Sequence, residues 1–172
     1  MKRNLIILFS LLLLSVPAAV LAAGQACSET IPLSAPSENF IVEADGTVFS
    51  KTTGLIWMRC SIGQTWDGKS CTGDSTLFAW SAALKAAVDY QYAGFNDWRL
   101  PNKNELESLV EVSCTTPAIN EKVFPATPLA FFWTGSPYTG VTDGVWSVDF
   151  AYGTVVASEK IGKNYVRLVR DR

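Results

Sequence analysis

Apolar positions fall along the chain in several patterns, each implying its own kind of element. Residues 5–16 are apolar except for Ser10 and Ser15; Lys2 and Arg3 precede them, and Pro17 and small residues ending at Ala22 and Ala23 follow. This order of basic, apolar and small residues predicts a secretory signal peptide cleaved after Ala22, with Val20 and Ala22 meeting the small-residue rule. The run is shorter than the roughly 20 residues a bilayer-spanning helix needs. Lipidation at Cys27 is disfavoured, because Gly24-Gln25-Ala26 lacks the aliphatic residue such a site requires. Residues 23–39, with Pro32, Pro36 and several serines, read as an arm with little structure of its own, and the folded body (residues 40–172) starts near Phe40.

Within the body, Phe40-Ile41-Val42 and Thr47-Val48-Phe49 flank Asp45-Gly46, a turn pair that tolerates positive φ, which predicts a β-hairpin. Leu55-Ile56-Trp57-Met58 reads as a buried strand. Leu77, Trp80, Leu84, Ala87 and Val88 recur at three and four residues, predicting an amphipathic helix capped by Ser75 or Thr76 and ended by Gly94. A second helix is predicted after Pro101, with Asn102 as cap, Glu105 as capping-box carboxylate and Leu106, Leu109 and Val110 inward, ending before Cys114. From Ala130 onward the spacing alternates: Trp146, Val148, Phe150 and Tyr152 are expected inward, Ser147, Asp149 and Ala151 outward. Gly153 turns the chain into residues 154–157. Residues 165–170 form the last strand, with Val166 and Leu168 on one face and Tyr165 and Arg167 on the other. The fold class is α+β, with helices segregated from a mostly antiparallel sheet.

Composition narrows the chemistry. The 172 residues contain no histidine, which excludes Ser-His-Asp and Cys-His nucleophile systems, HExxH zinc sites and histidine proton shuttles. Signal removal leaves about 150 residues, one domain's worth, and takes away Lys2 and Arg3, moving the formal charge from −2 to −4. A mildly acidic domain is a poor partner for nucleic acid as a whole. Cys27, Cys60, Cys71 and Cys114 form an even set that export would oxidise to disulfides. Of the three pairings, Cys60 with Cys71 closes the shortest loop, and Cys27 with Cys114 then pins the arm to the body.

Several motifs carry a resemblance: Asp45-Gly46-Thr47-Val48, Thr53-Gly54-Leu55-Ile56-Trp57, Asp97-Trp98-Arg99-Leu100-Pro101 with Glu105-Leu106, Phe132-Trp133-Thr134-Gly135-Ser136-Pro137-Tyr138, and Tyr165-Val166-Arg167-Leu168-Val169-Arg170. Together they resemble the Legionella collagen-like protein C-terminal domain family over about residues 40 to 170. The resemblance implies an exported bacterial domain and, by analogy with the founding adhesin, trimerisation and binding of sulfated glycosaminoglycans. This chain departs from that adhesin in lacking Gly-X-Y repeats and in its acidic charge. The Trp-Arg-Leu-Pro segment before a helix and the closing Val-Arg strand also look like the wider C-type-lectin-like group, which includes formylglycine-generating enzymes and phage tropism modules.

Candidate sites follow. Asn96-Asp97-Trp98 is similar to half of a lectin calcium motif, but the Glu-Pro-Asn half is missing, so a structural turn is expected and no metal or cofactor is assigned. Trp98, Arg99, Asn102 and Glu105 are expected to be structural, with Arg99 fixing its loop through charge-assisted hydrogen bonds. Among Trp133, Tyr138, Trp146, Tyr152 and Tyr165, Tyr138 is the candidate for an exposed ligand platform. Lys160, Lys163, Arg167, Arg170 and Arg172 form a basic cluster suited to sulfate or phosphate. Glu107 and Glu111 are expected on the outer face of the second helix, as solvated glutamates rather than a catalytic pair. The copper and cysteine pair of formylglycine-generating enzymes is not expected, since the cysteines are assigned to disulfides.

The function these features imply is an exported, non-enzymatic binding module for an extracellular glycan or surface protein, located in the periplasm, at the cell surface or outside the cell. A structural part of a surface complex and a cofactor-free enzyme are the rival readings. No membrane span is expected after signal cleavage, and a homo-oligomer is open. A binding module predicts exposed aromatics beside polar groups, an assembly part a broad apolar patch, and an enzyme a deep pocket with perturbed carboxylates.

Overall fold

The computed structural model describes residues 24–140 and 142–172, so the expected signal peptide lies outside the described residues. The chain forms β1 (Ala26–Cys27), a 3-10 turn (Ser37–Asn39), β2 (Phe40–Val42), β3 (Thr47–Ser50) and β4 (Leu55–Met58). Next come β5 (Thr65–Trp66), β6 (Cys71–Thr72), the helices α1 (Trp80–Val88) and α2 (Lys103–Glu107), and β7 (Cys114–Thr115). The last strands are β8 (Phe131–Tyr138), β9 (Gly144–Asp149), β10 (Thr154–Glu159) and β11 (Val169–Asp171). Two antiparallel sheets dominate, one ordered β11-β4-β3-β2 and the other β10-β9-β8, with two-stranded pairs β1-β7 and β5-β6 beside them. The architecture is α+β as expected.

The hairpin forms at Asp45-Gly46, where Gly46 takes φ +84° and Asp45 Oδ1 accepts from the Thr47 N–H at 2.9 Å and from its hydroxyl at 2.7 Å. Side chains alternate along β4. Leu55 and Trp57 enter a core with Phe40, Val48, Val169, Leu106, Phe132 and Phe150, while Met58 enters a second core with Ala83, Ala87, Trp98, Trp133, Val166 and Leu168. The second sheet lies between the same two cores, which puts Phe132 and Val148 in one and Trp133 and Val145 in the other.

That arrangement corrects the single-sided reading of β9. Val145, Ser147 and Asp149 are buried as well as Val148 and Phe150, because apolar side chains cover both faces, and Trp146 is only half-buried. Tyr152 is 65% exposed, since it lies past the end of β9 in the turn to β10. Ala151, expected outward, is buried.

Both helices are shorter than expected. Phe78 forms an antiparallel bridge with Asn164, which holds the preceding chain extended and delays α1 to Trp80. Its cap is Ala79, without a side-chain bond, so Ser75 and Thr76 do not cap it, and it stops at Asp89, before Gly94. Leu77 and Val88 are exposed rather than inward, and the small side chains of Ala83 and Ala87 make the close contact with the core. In α2 the capping box forms as expected, with Asn102 accepting from the Glu105 N–H and Glu105 from the Asn102 N–H. The helix then ends at Glu107, and Leu109 and Val110 reach the core from non-helical chain.

The last strand also differs from its expected span. Only Val169–Asp171 pairs regularly with β4, while the Val166 and Leu168 carbonyls accept from the Ile62 and Met58 N–H groups outside the ladder. Both expected disulfides form, Cys27–Cys114 and Cys60–Cys71. The first lies within the β1-β7 pair, where the two cysteines face each other, and Ala35 of the same arm is only 2% exposed.

Glu111 is the largest departure on this side of the molecule. Expected on a solvated helix face, it lies beyond the helix, is 2% exposed, and binds the arm. Its carboxylate accepts from the Ser34, Ala35 and Ser113 N–H groups at 3.0, 2.9 and 3.1 Å and from the Ser113 hydroxyl at 2.8 Å.

Candidate functional site

The amino end of α2 meets the middle of β8. Gly135 N–H donates to the Pro101 carbonyl at 2.7 Å and Lys103 N–H to the Ser136 hydroxyl at 2.9 Å, across an irregularity in the β8-β9 register between Trp133 and Pro137. Bulges re-aim the side chains that follow them. Past this one, the half-buried Tyr138 ring meets the half-buried Trp146 ring edge-on, with centroids 4.7 Å apart. Gly140 crosses Tyr138 so closely that a side chain there would collide with the ring. Lys103 Nζ lies 5.6 Å from the Trp146 centroid and 2.8 Å from Glu107 Oε2, so an ammonium and a carboxylate border the aromatic pair. The i,i+4 spacing of Lys103 and Glu107 is visible in the sequence. Their placement beside Trp146 is not, because it depends on how α2 packs across β9.

The basic cluster of the C-terminal segment does not assemble. Arg167, expected on a surface strand face, is fully buried, because chain packs over both faces of that segment. Its Nη1 donates to the Met58 carbonyl at 3.1 Å and to the Arg59 carbonyl, its Nη2 to Thr127 Oγ1 at 2.7 Å, and its guanidinium lies 4.9 Å from the Phe124 ring centroid. Burial pulls its pKa down to about 9, with a smaller push from the charge of Arg59, and leaves it protonated at neutral pH. Arg170 is committed to Asp97 through bonds of 2.7 and 3.0 Å and lies 4.0 Å from the Phe95 ring centroid, so it is not free for a ligand as expected. Arg172 lies over Phe49 of the same sheet, two strands away, Lys160 lies over Trp80 and 3.4 Å from Asp143, and Lys163 is exposed.

The structural candidates fall where their chemistry places them. Arg99 binds Glu105 through two bonds of 2.8 and 3.0 Å and Asp171 at 2.9 Å. The bonds to Glu105 do most to raise the Arg99 pKa. Burial pushes the Glu105 carboxyl up, but Arg99 and the Asn102 N–H together hold it below its ordinary value. Trp98 is buried, and its indole N–H donates to the Tyr92 carbonyl at 3.2 Å. At the expected structural turn, the Asp97 oxygens accept from Arg170, which holds that carboxyl low. Trp133 is buried and Tyr165 half-buried against the core, which removes Trp133 as a platform. A surface cleft of about 470 Å³ lies between the arm and residues 120–122, and Cys27, Leu33, Glu38 and Glu111 line part of it. Among the described residues no helix is long and apolar enough to cross a membrane.

Two disulfides, two short helices and two antiparallel sheets sharing two cores, with a half-exposed aromatic pair at a bulge, define a stapled α+β module. The chain belongs to the Lcl C-terminal domain family, whose sequence profile matches residues 46–170. Comparison with curated proteins found no match. The family and the disulfides suit an extracellular or surface-associated module and are compatible with export.

Proposed function

We propose that this domain is an exported, non-enzymatic binding module of C-type-lectin-like character, and that it holds an extracellular glycan at Tyr138 and Trp146. The observation that carries this reading is the half-exposed aromatic pair bordered by Lys103 and Glu107. Aromatic faces take the apolar face of a sugar ring, while the ammonium and the carboxylate can exchange hydrogen bonds with its hydroxyls. Dispersal of the C-terminal cations favours a neutral sugar over a sulfated one.

A glycan array with oxidised protein lacking residues 1–22, at low and physiological salt, tests the reading. The expected result is salt-insensitive binding to neutral sugars, weakened at least about fivefold by Tyr138→Ala or Trp146→Ala in folded protein. Binding that both variants leave intact refutes the site. Salt-sensitive binding to sulfated sugars alone returns the ligand to exposed cations, and no glycan binding at all leaves a surface protein as the partner class.

A further inference from the structure

The sheet β11-β4-β3-β2 is covered unequally. One face packs against the first core through Phe40, Val48, Leu55, Trp57 and Val169. On the other face the second core covers Met58 and touches Ile56. The rest of that face carries a row set by the strand register, in which Ile41 is opposite Phe49, Phe49 opposite Ile56, and Ile56 opposite Arg170. Ile41 is 45% exposed, and Phe49 and Ile56 are half-buried at the surface. Arg170, held by Asp97, closes one end of the row. A shallow groove of about 200 Å³ lies over it, bordered by Glu43 and Arg172.

Those two charges show what fits. Among the described residues, Glu43 makes no ion pair or side-chain hydrogen bond, and Arg172 has only the Phe49 ring, 4.8 Å from its guanidinium carbon. They lie toward opposite ends of the strands. The Glu43 N–H bonds the Thr47 carbonyl at one end of β3, whereas Arg172 follows Asp171, which pairs with Leu55 at the other end of the sheet. We infer that this face docks against the same face of a second copy of the chain. Glu43 continues β2 and Arg172 continues β11, so the two charges occupy diagonally opposite corners of the face. A two-fold axis that lies in the face, oblique to the row and passing between Phe49 and Ile56, turns the face over and exchanges those corners. It brings Phe49 and Ile56 against the partner's Phe49 and the partner's Ile56, sets Glu43 against the partner's Arg172, and repeats that ion pair by symmetry. A face with an apolar middle and opposite charges at its two ends is self-complementary in the way a two-fold interface requires.

Sedimentation velocity of the oxidised protein, from about 10 μM to about 1 mM, tests this. The expected result is a monomer–dimer equilibrium. Glu43→Arg and Arg172→Glu each weaken the dimer about tenfold, because each turns two attractions into two repulsions. The double variant Glu43→Arg with Arg172→Glu restores it, and Ile41→Lys abolishes it. All three altered positions, Ile41, Glu43 and Arg172, are at the surface, so an unchanged thermal midpoint shows that the fold is kept. A monomer throughout this range overturns the inference. So does an assembly of any size that none of the variants affects, since it would use another face.

Discussion

Truncating Glu111 to alanine removes the acceptor for two buried backbone N–H groups, those of Ala35 and Ser113, and for the Ser113 hydroxyl. A buried donor left without a partner costs about 1–3 kcal/mol, and bonds to a charged acceptor lie at the upper end. We take about 4 kcal/mol for the whole substitution, because neighbouring terms do not add fully. For a domain of this size that corresponds to a fall of roughly 10 °C in Tm. Glu111→Gln keeps one acceptor oxygen and loses the charge, and is expected to cost about half as much.

The charge makes the loss pH-dependent. Burial raises the Glu111 pKa, but hydrogen bonds from Ser34, Ala35 and Ser113 outweigh it, so the folded-state value lies below the ordinary 4.5. A carboxyl lowered on folding contributes stability above its unfolded value and loses it as pH falls through the folded value. The gap between wild type and Glu111→Gln is therefore full at neutral pH and narrows below 4.5. Urea unfolding of oxidised protein, followed by tryptophan fluorescence over that pH series, measures the gap directly. A Glu111→Ala variant within about 0.5 kcal/mol of wild type, or a gap that stays constant with pH, refutes the reasoning.

Two further outcomes follow from the same structure. Replacing Cys27 and Cys114 by serine opens a closure spanning 87 residues, which should lower stability by about 4 kcal/mol and speed amide exchange at Ser28, whose N–H bonds Ser113. Arg167→Ala should cost about 3–5 kcal/mol in urea unfolding, since it leaves a cavity and strands the Met58 and Arg59 carbonyls, whereas Arg167→Met fills the space and should cost less. Equal costs for the two would mean that volume plays no part.

Local chemistry was legible in the sequence, and packing was not. The Asn102–Glu105 capping box, the Asp45-Gly46 turn and the β4 strand each depend on residues a few positions apart, and each forms where the pattern places it. Glu111 was misread because α2 stops at Glu107 and the partners of the carboxylate come from Ser34 and Ala35, 77 and 76 residues away. Arg167 alternates with Val166 and Leu168, as an outward residue would, yet a segment covered on both faces buries every position whatever its polarity. The candidate site follows the same division. Tyr138 stood out between Pro137 and a turn, but the bulge that sets it on Trp146 leaves no local signal, and Lys103 joins only through the packing of α2.

The C-terminal segment belongs to both cores at once. Val169 fills one, Val166 and Leu168 fill the other, and Arg167 ties the carbonyls between them. During synthesis these residues follow the rest of the domain out of the ribosome, so a nascent chain can form its hairpins and its α2 cap but can close neither core until they emerge. Folding is thus deferred until the whole domain has been made, and neither half of the domain can lock ahead of the other.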